Sequence, residues 1–125
     1  GDTVTVPANG SASVTVTIAV SEATAAEMIH AISRGGLGLI VVQRGEDILG
    51  IITDGDIRRA MESRQAAFFD IHPMDIATRK PKTIRPESKL IEAEKSMTQH
   101  KVNSLLVVDD ENHLAGVIQI YDIKL

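Results

Sequence analysis

The chain has 125 residues, a formal net charge of −4 and no cysteine. That length holds one domain, or two small half-domains sharing a core. The missing thiols exclude disulfides, thiolate metal sites and a cysteine nucleophile, and fit a reducing, cytoplasmic setting.

The negative balance offers no general attraction to nucleic acid or to an anionic membrane. The aromatic residues, Phe68, Phe69 and Tyr121, make no base-stacking platform. A composition of 43% hydrophobic and 24% charged residues suits a soluble globular chain. No apolar run approaches the roughly 18 residues needed to span a bilayer. The first residues lack the basic start and long apolar centre of a signal peptide.

Residues 2–20 alternate in hydrophobicity through Val4, Val6, Val14, Val16, Ile18 and Val20, with Pro7-Ala8-Asn9-Gly10 as a turn between the two runs. A hairpin or two separate extended pieces fit equally. Residues 21–34 read as a helix, with Thr24 and Glu27 as a capping box, an apolar stripe of Ala25, Met28, Ile29 and Ile32, and a Gly35-Gly36 stop. Residues 38–43 form a continuous apolar run, expected for a strand buried on both faces. A polar turn at 44–47 leads to a strand at 48–53 and a helix from Asp54 to about Ser63. The connector 64–72 carries Phe68 and Phe69, both expected to pack, and 73–78 is expected to make one helical turn. Then the order repeats: strand 82–85, helix 88–100, strand 104–108, turn 109–112, strand 113–119 and a helix from Ile120 that is read as cut short.

The repetition has a constant offset. Gly50 matches Gly116, Ile52 matches Ile118, Asp56 matches Asp122 and Ile57 matches Ile123, each 66 residues apart. The same offset sets Val41-Val42 against Val107-Val108 and Thr17-Ile18 against Thr83-Ile84. Two tandem copies of a β-α-β-β-α unit follow, preceded by an extended segment at 1–16: copy one spans 17–66 and copy two 67–125. The fold class is α/β (α+β). One copy alone has too small an apolar face to be stable, so the two are expected to pack sheet to sheet about a pseudo-twofold axis, with two equivalent clefts between them.

Each copy concentrates its chemistry where the last strand meets a helix. Thr53 and Asp56 form a T-x-x-D helix-start box, and free backbone N–H groups at such an end attract anions. The simple reading is a cap and a first-turn acid worth ~1 kcal/mol together. The functional reading has Asp56 accepting from ribose hydroxyls, with Arg58 or Arg59 beside it to neutralise phosphate. Asp54-Gly55-Asp56 falls short of an EF-hand loop. His30, His72, His100 and His113 are scattered over different elements and read as surface or turn residues rather than metal ligands. No nucleophile–base pair or cofactor loop is visible, so no catalytic residue is assigned.

The repeat, with Gly50-Ile51-Ile52-Thr53-Asp54-Gly55-Asp56 in copy one and Gly116-Val117-Ile118-Gln119-Ile120-Tyr121-Asp122 in copy two, resembles a cystathionine-β-synthase (CBS) domain pair, or Bateman module. Copy two departs from the pattern at Gln119, where Ser or Thr is usual. Thr83-Ile84-Arg85-Pro86 resembles the opening motif of a copy, and its counterpart Thr17-Ile18-Ala19-Val20 lacks the proline. The runs GLGLIVV, GIITDGDIRRAM and HKVNSLLVVDDENHLAGVIQIYDI are similar to the C-terminal CBS pair of KpsF/GutQ-type arabinose 5-phosphate isomerases.

The resemblance implies a ligand site in the clefts drawn from Thr17, Ile18, Thr53, Asp54, Asp56, Arg58, Thr83, Ile84, Pro86, Gln119, Tyr121 and Asp122, with no metal. The implied ligand is an adenine nucleotide (AMP or ATP) or CMP-Kdo, the latter because such isomerases feed Kdo synthesis for lipopolysaccharide or capsule. The implied partners are a sugar isomerase (SIS) domain in the parent protein and a second copy of the pair, giving a homodimer and a tetrameric parent. Three functions remain open at this point: a regulatory nucleotide sensor, an oligomerisation module with degenerate sites, and a CBS pair from another host such as a nucleotide-regulated dehydrogenase or a magnesium channel.

Overall fold

In a computed structural model, residues 17–19, 24–36 and 38–119 are described, with backbone alone for 17–19. Contacts divide the described chain into two units, 17–80 and 81–119. The alternating runs before Thr17 and the helix expected from Ile120 lie outside the described residues.

The first unit holds a four-stranded sheet in the order β1 (Thr17–Ala19), β2 (Leu39–Arg44), β3 (Asp47–Thr53) and β4 (Thr78–Arg79). β1 runs parallel to β2, and the crossover between them contains helix α1 (Ala25–Gly35). The Thr24 hydroxyl accepts from Glu27 N at 3.1 Å and starts α1. Gly36, at φ 69°, ends it by donating its N–H to the Ile32 carbonyl. The apolar stripe of α1 delivers Ala25, Met28 and Ile32 to a core that also takes Ile40, Val42, Ile52, Phe68 and Ile71. Leu39, Ile40, Val41 and Val42 are all buried, as the unbroken apolar run of β2 requires. Helix α2 (Asp54–Arg64) adds Ile57 and Ala60 to the same core.

The connector is 3₁₀ helix over Gln65–Asp70, followed by a 3₁₀ turn at Pro73–Asp75. His72 caps that turn: its Nδ1 accepts from Met74 N at 3.1 Å, and Asp75 returns a carboxylate oxygen to His72 N at 2.9 Å. Phe68 is buried at 1% exposure, but Phe69 is 68% exposed, touching Phe68 edge-on at 5.6 Å between ring centres. The expectation that both rings pack is therefore corrected. The two are adjacent in a 3₁₀ helix, where neighbours lie about 120° apart, so only one can face the core.

β4 has no counterpart in the expected elements. Its two residues are exposed and pair with Gly50 and Ile51. A side chain at 50 would meet the Thr78 carbonyl oxygen, since a Cβ there stands 2.7 Å from it. Glycine at this position thus lets β4 join the sheet.

The second unit repeats the plan with β5 (Thr83–Ile84) parallel to β6 (Ser104–Val108), β6 antiparallel to β7 (Leu114–Gln119), and helix α3 (Leu90–His100) between β5 and β6. Ala93, Met97, Leu105, Val107 and Ile118 form its core. β5 is shorter than the strand expected over 82–85.

Register refines the repeat. Ile40 pairs with Ile52 and Val42 with Gly50 in the first unit; Leu105 pairs with Ile118 and Val107 with Gly116 in the second. The outer strands keep the offset of 66, but β2 maps onto β6 with an offset of 65, so Val42, not Val41, corresponds to Val107. The cores agree, because Ile40 and Val42 point into one cluster, and Leu105 and Val107 into the other. A shift of one would reverse every side chain of the strand. Each hairpin carries a bulge at the same place, leaving Leu49 and Ala115 unpaired.

The β6–β7 turn is built on Asp109, whose Oδ1 accepts from Glu111 N and His113 N, both at 2.9 Å. The His113 N–H is the main reason the Asp109 carboxyl sits below its ordinary value of 3.8. Desolvation opposes it, while the Glu111 N–H, the His113 ring and Arg85 reinforce it.

Three expectations follow from this packing. Phe68→Ala should lower stability by roughly 3–5 kcal/mol and Phe69→Ala by less than about 0.5 kcal/mol, as read by urea unfolding; equal losses would contradict the assignment of the two rings. Gly50→Ala should cost about 1–3 kcal/mol because the Thr78 carbonyl must move. A lowered folded pKa contributes stability that is complete above 3.8 and lost as pH falls through the folded value. Asp109→Ala should therefore lower the melting temperature at pH 7, with the gap to the parent narrowing once the pH drops below 3.8. A gap that stays constant down to pH 2 would rule this out.

Candidate ligand site

The junction of β3 and α2 is held by three backbone-directed bonds. Asp54 N donates to the Gly38 carbonyl at 2.9 Å, fixing the helix start against the head of β2. Thr53 Oγ1 accepts from Asp56 N at 3.1 Å, and Asp56 Oδ2 accepts from Thr53 N at 2.9 Å. This is a complete reciprocal cap, allowed because Thr53 keeps extended backbone at φ −100°, ψ 166°. The amides of Asp54 and Asp56 are thereby already bonded. The junction is thus less open to anions than the bare motif implies.

Arg59 completes the arrangement. Its Nη2 donates to Asp56 Oδ1 at 2.7 Å, and its guanidinium lies over Gly55, where a Cβ would stand 3.1 Å from Nη1. Asp56 is 19% exposed at its side chain and Arg59 is 70% exposed. Each carboxylate oxygen has a second lone pair, so Asp56 can accept from vicinal hydroxyls while it caps the helix. An exposed ion pair of this kind is worth about 0.2–1 kcal/mol, so an arriving anion can draw the guanidinium away cheaply. The arginine engaged with Asp56 is Arg59. Arg58, the residue chosen from sequence, is exposed. Both satisfy the run of two basic residues, but only Arg59 stands three residues beyond Asp56, on the same side of the helix. Asp54 is exposed, with its backbone engaged as above.

The remaining candidates fall into separate places. The backbones of Thr17 and Ile18 pair with Val41 and Val42, and their side chains lie outside the described residues. Tyr121 and Asp122 also lie outside them. In the second unit Thr83 is exposed, while Ile84 and Pro86 are half-buried. Between them Arg85, absent from the sequence-based set, pairs with Asp110 on the β6–β7 turn and reaches Glu87 Oε1 at 3.4 Å. Gln119 donates from Nε2 to Ser104 Oγ at 3.2 Å across β6 and β7.

Among the described residues no helix is long and apolar enough to cross a membrane. The CBS-domain family model matches the chain twice, at residues 4–63 and 74–124. A probable arabinose 5-phosphate isomerase of Haemophilus influenzae is 39% identical over 93 residues, covering 74% of this chain and 28% of that protein. The arabinose 5-phosphate isomerase KpsF of Escherichia coli O6:H1 is 36% identical over 96 residues, covering 76% and 29%. The chain thus spans under a third of the length of these curated relatives.

Among solved structures, a CBS domain protein from Pyrobaculum aerophilum complexed with AMP superposes with a TM-score of 0.77 at 25% identity, over 86% of this chain and 81% of that one. A CBS domain pair in complex with 5′-methylthioadenosine and S-adenosyl-L-methionine superposes at 0.74 and 20% identity, over 86% of each chain, and supports the α+β fold alone. Two β-α-β-β units with matching register, bulges and cores, each matched by the same family model, have one description: the chain is a tandem pair of CBS domains and belongs to the CBS-domain family.

Proposed function

We propose that this CBS pair is the ligand-sensing regulatory module of a sugar-phosphate isomerase acting on arabinose 5-phosphate, and that its signal is a nucleotide or nucleotide-sugar. The observation that carries the reading is the Thr53–Asp56–Arg59 arrangement. It holds a hydroxyl-accepting carboxylate and a displaceable guanidinium side by side at a rigid strand–helix junction. Ribose offers two adjacent hydroxyls to Asp56, and a phosphate offers Arg59 a better, bidentate partner than one carboxylate oxygen. The kinship with arabinose 5-phosphate isomerases supports the host enzyme, and the AMP complex of a structural relative supports the ligand class.

CMP-Kdo, which carries both a ribose and a phosphate, fits as a feedback signal for such an enzyme, and AMP or ATP as a general energy signal. Regulation then requires the ligand to bind two arrangements of an attached SIS domain with different affinity, typically by ~1–3 kcal/mol.

A tethering role is the second reading, favoured by two exposed large apolar side chains of the first unit, Phe69 and Met61, the latter 41% exposed. In this reading a second copy of the pair covers the exposed Phe69.

Thermal unfolding with AMP, ATP, CMP and CMP-Kdo separates the two. A ligand at 100 times its dissociation constant adds about 2.7 kcal/mol, a rise of several degrees for a chain of this size. Asp56→Ala should lower the ligand-free melting point by the loss of the cap, ~1 kcal/mol, and should also remove the ligand-induced rise. No rise with any of the four ligands, together with a dimer that Phe69→Ser converts to monomer in sedimentation, would leave tethering as the function.

A further inference from the structure

We infer that the pair takes one ligand per chain, at the β3–α2 junction of the first repeat, because a side-chain bond in the second repeat occupies the corresponding position. The inference rests on the sensing role proposed above.

Strand register makes Leu39–Thr53 and Ser104–Gln119 equivalent cross-strand pairs. In the first repeat the residue opposite Thr53 is Leu39, buried and without a polar side-chain atom, so the Thr53 hydroxyl has no cross-strand partner and bonds forward to Asp56 N. In the second repeat both members are polar, and Gln119 Nε2 donates sideways to Ser104 Oγ in a partly buried bond. The short hydroxyl that fixes the first helical turn on Asp56 is absent there, and its replacement is bound across the sheet. Glutamine is also a poor substitute at a helix start, where Ser, Thr, Asp and Asn are preferred because their oxygen lies close enough to reach the next amides.

The guanidinium is missing as well, although Lys124 matches Arg58 at the same offset. The offset that matches Asp56 to Asp122 matches Arg59 to Leu125. The second repeat therefore keeps the acid of the motif but neither its hydroxyl nor its guanidinium. Two independent substitutions, one read from the sheet and one from the sequence, remove the same chemistry from the same repeat.

Isothermal titration with AMP tests this on the chain as it stands. One equivalent per chain is expected. Arg59→Gln, at an exposed position, should weaken AMP binding roughly tenfold, the loss of a charge-assisted bond. The double substitution Leu39→Ser with Thr53→Gln transfers the second repeat's pair into the first and should abolish binding, with circular dichroism checking the fold. Two equivalents in the parent chain overturn the inference and leave the sensing role standing. So does one equivalent whose affinity Arg59→Gln does not change. No AMP binding by the parent chain overturns AMP sensing and the inference with it.

Discussion

Four successive residues of β2, Leu39 to Val42, and four of β6, Leu105 to Val108, are buried, and the remaining architecture answers to that. Ile40 and Val42 need cover on one face of the first sheet, and Leu105 and Val107 need it in the second. Such a run has no face to spare for solvent, so in the first unit α1 and α2, on either side of β2 in sequence, pack into the same core. α1 arrives by the parallel crossover, and α2 is turned back immediately after β3 by the cap at Thr53. The abruptness of that turn brings a carboxylate, a hydroxyl and a guanidinium within a few ångströms of each other at the rim of the sheet. The candidate chemistry is thus a by-product of covering the core, sharpened by the residues placed at the bend.

Much of this was legible in the sequence because it is written in local patterns. The Thr24 cap, the Gly36 stop and the β2 run were each marked by residues whose physical role is short-range. The repeat was visible through Gly50, Asp56 and their counterparts. What escaped is non-local. β4 is two exposed residues in a polar stretch, and it is a strand only because glycine at 50 leaves a clear edge beside it. The offset of 65 for the middle strand is invisible to an alignment of valines, since Val41-Val42 and Val107-Val108 match perfectly at 66. Only the pairing partners decide it. Phe69 escaped because hydrophobicity alone does not say which of two adjacent rings meets the core.

The candidate site was legible in kind and imprecise in detail. Thr53 and Asp56 stand where the motif implies and bond to each other as a capping box does. The choice between Arg58 and Arg59 needed helix geometry, and Arg85 became visible only when the β6–β7 turn brought Asp110 to it. These two arginines share a logic. Each is engaged by a carboxylate: Arg59 by Asp56, which the cap also holds, and Arg85 by the exposed Asp110 on the turn that Asp109 builds.

The paired bulges at Leu49 and Ala115 carry a consequence for anyone recombining the two halves. Because both bulges sit at the same depth in their hairpins, the extra residue in one repeat has to be made up elsewhere: the crossover between β1 and β2 is one residue longer than that between β5 and β6, and the turn after β6 is longer than the turn after β2. A chimera that grafts β6 in place of β2 by the apparent spacing of the motifs would insert the strand inside out, sending Leu105 and Val107 to the wrong layer. Cut instead by hydrogen-bond partner, with the segment boundary moved by one, the same graft keeps its apolar side inward. The unit of exchange between such duplicated halves is the paired hairpin with its bulge, not the stretch of sequence between conserved-looking landmarks.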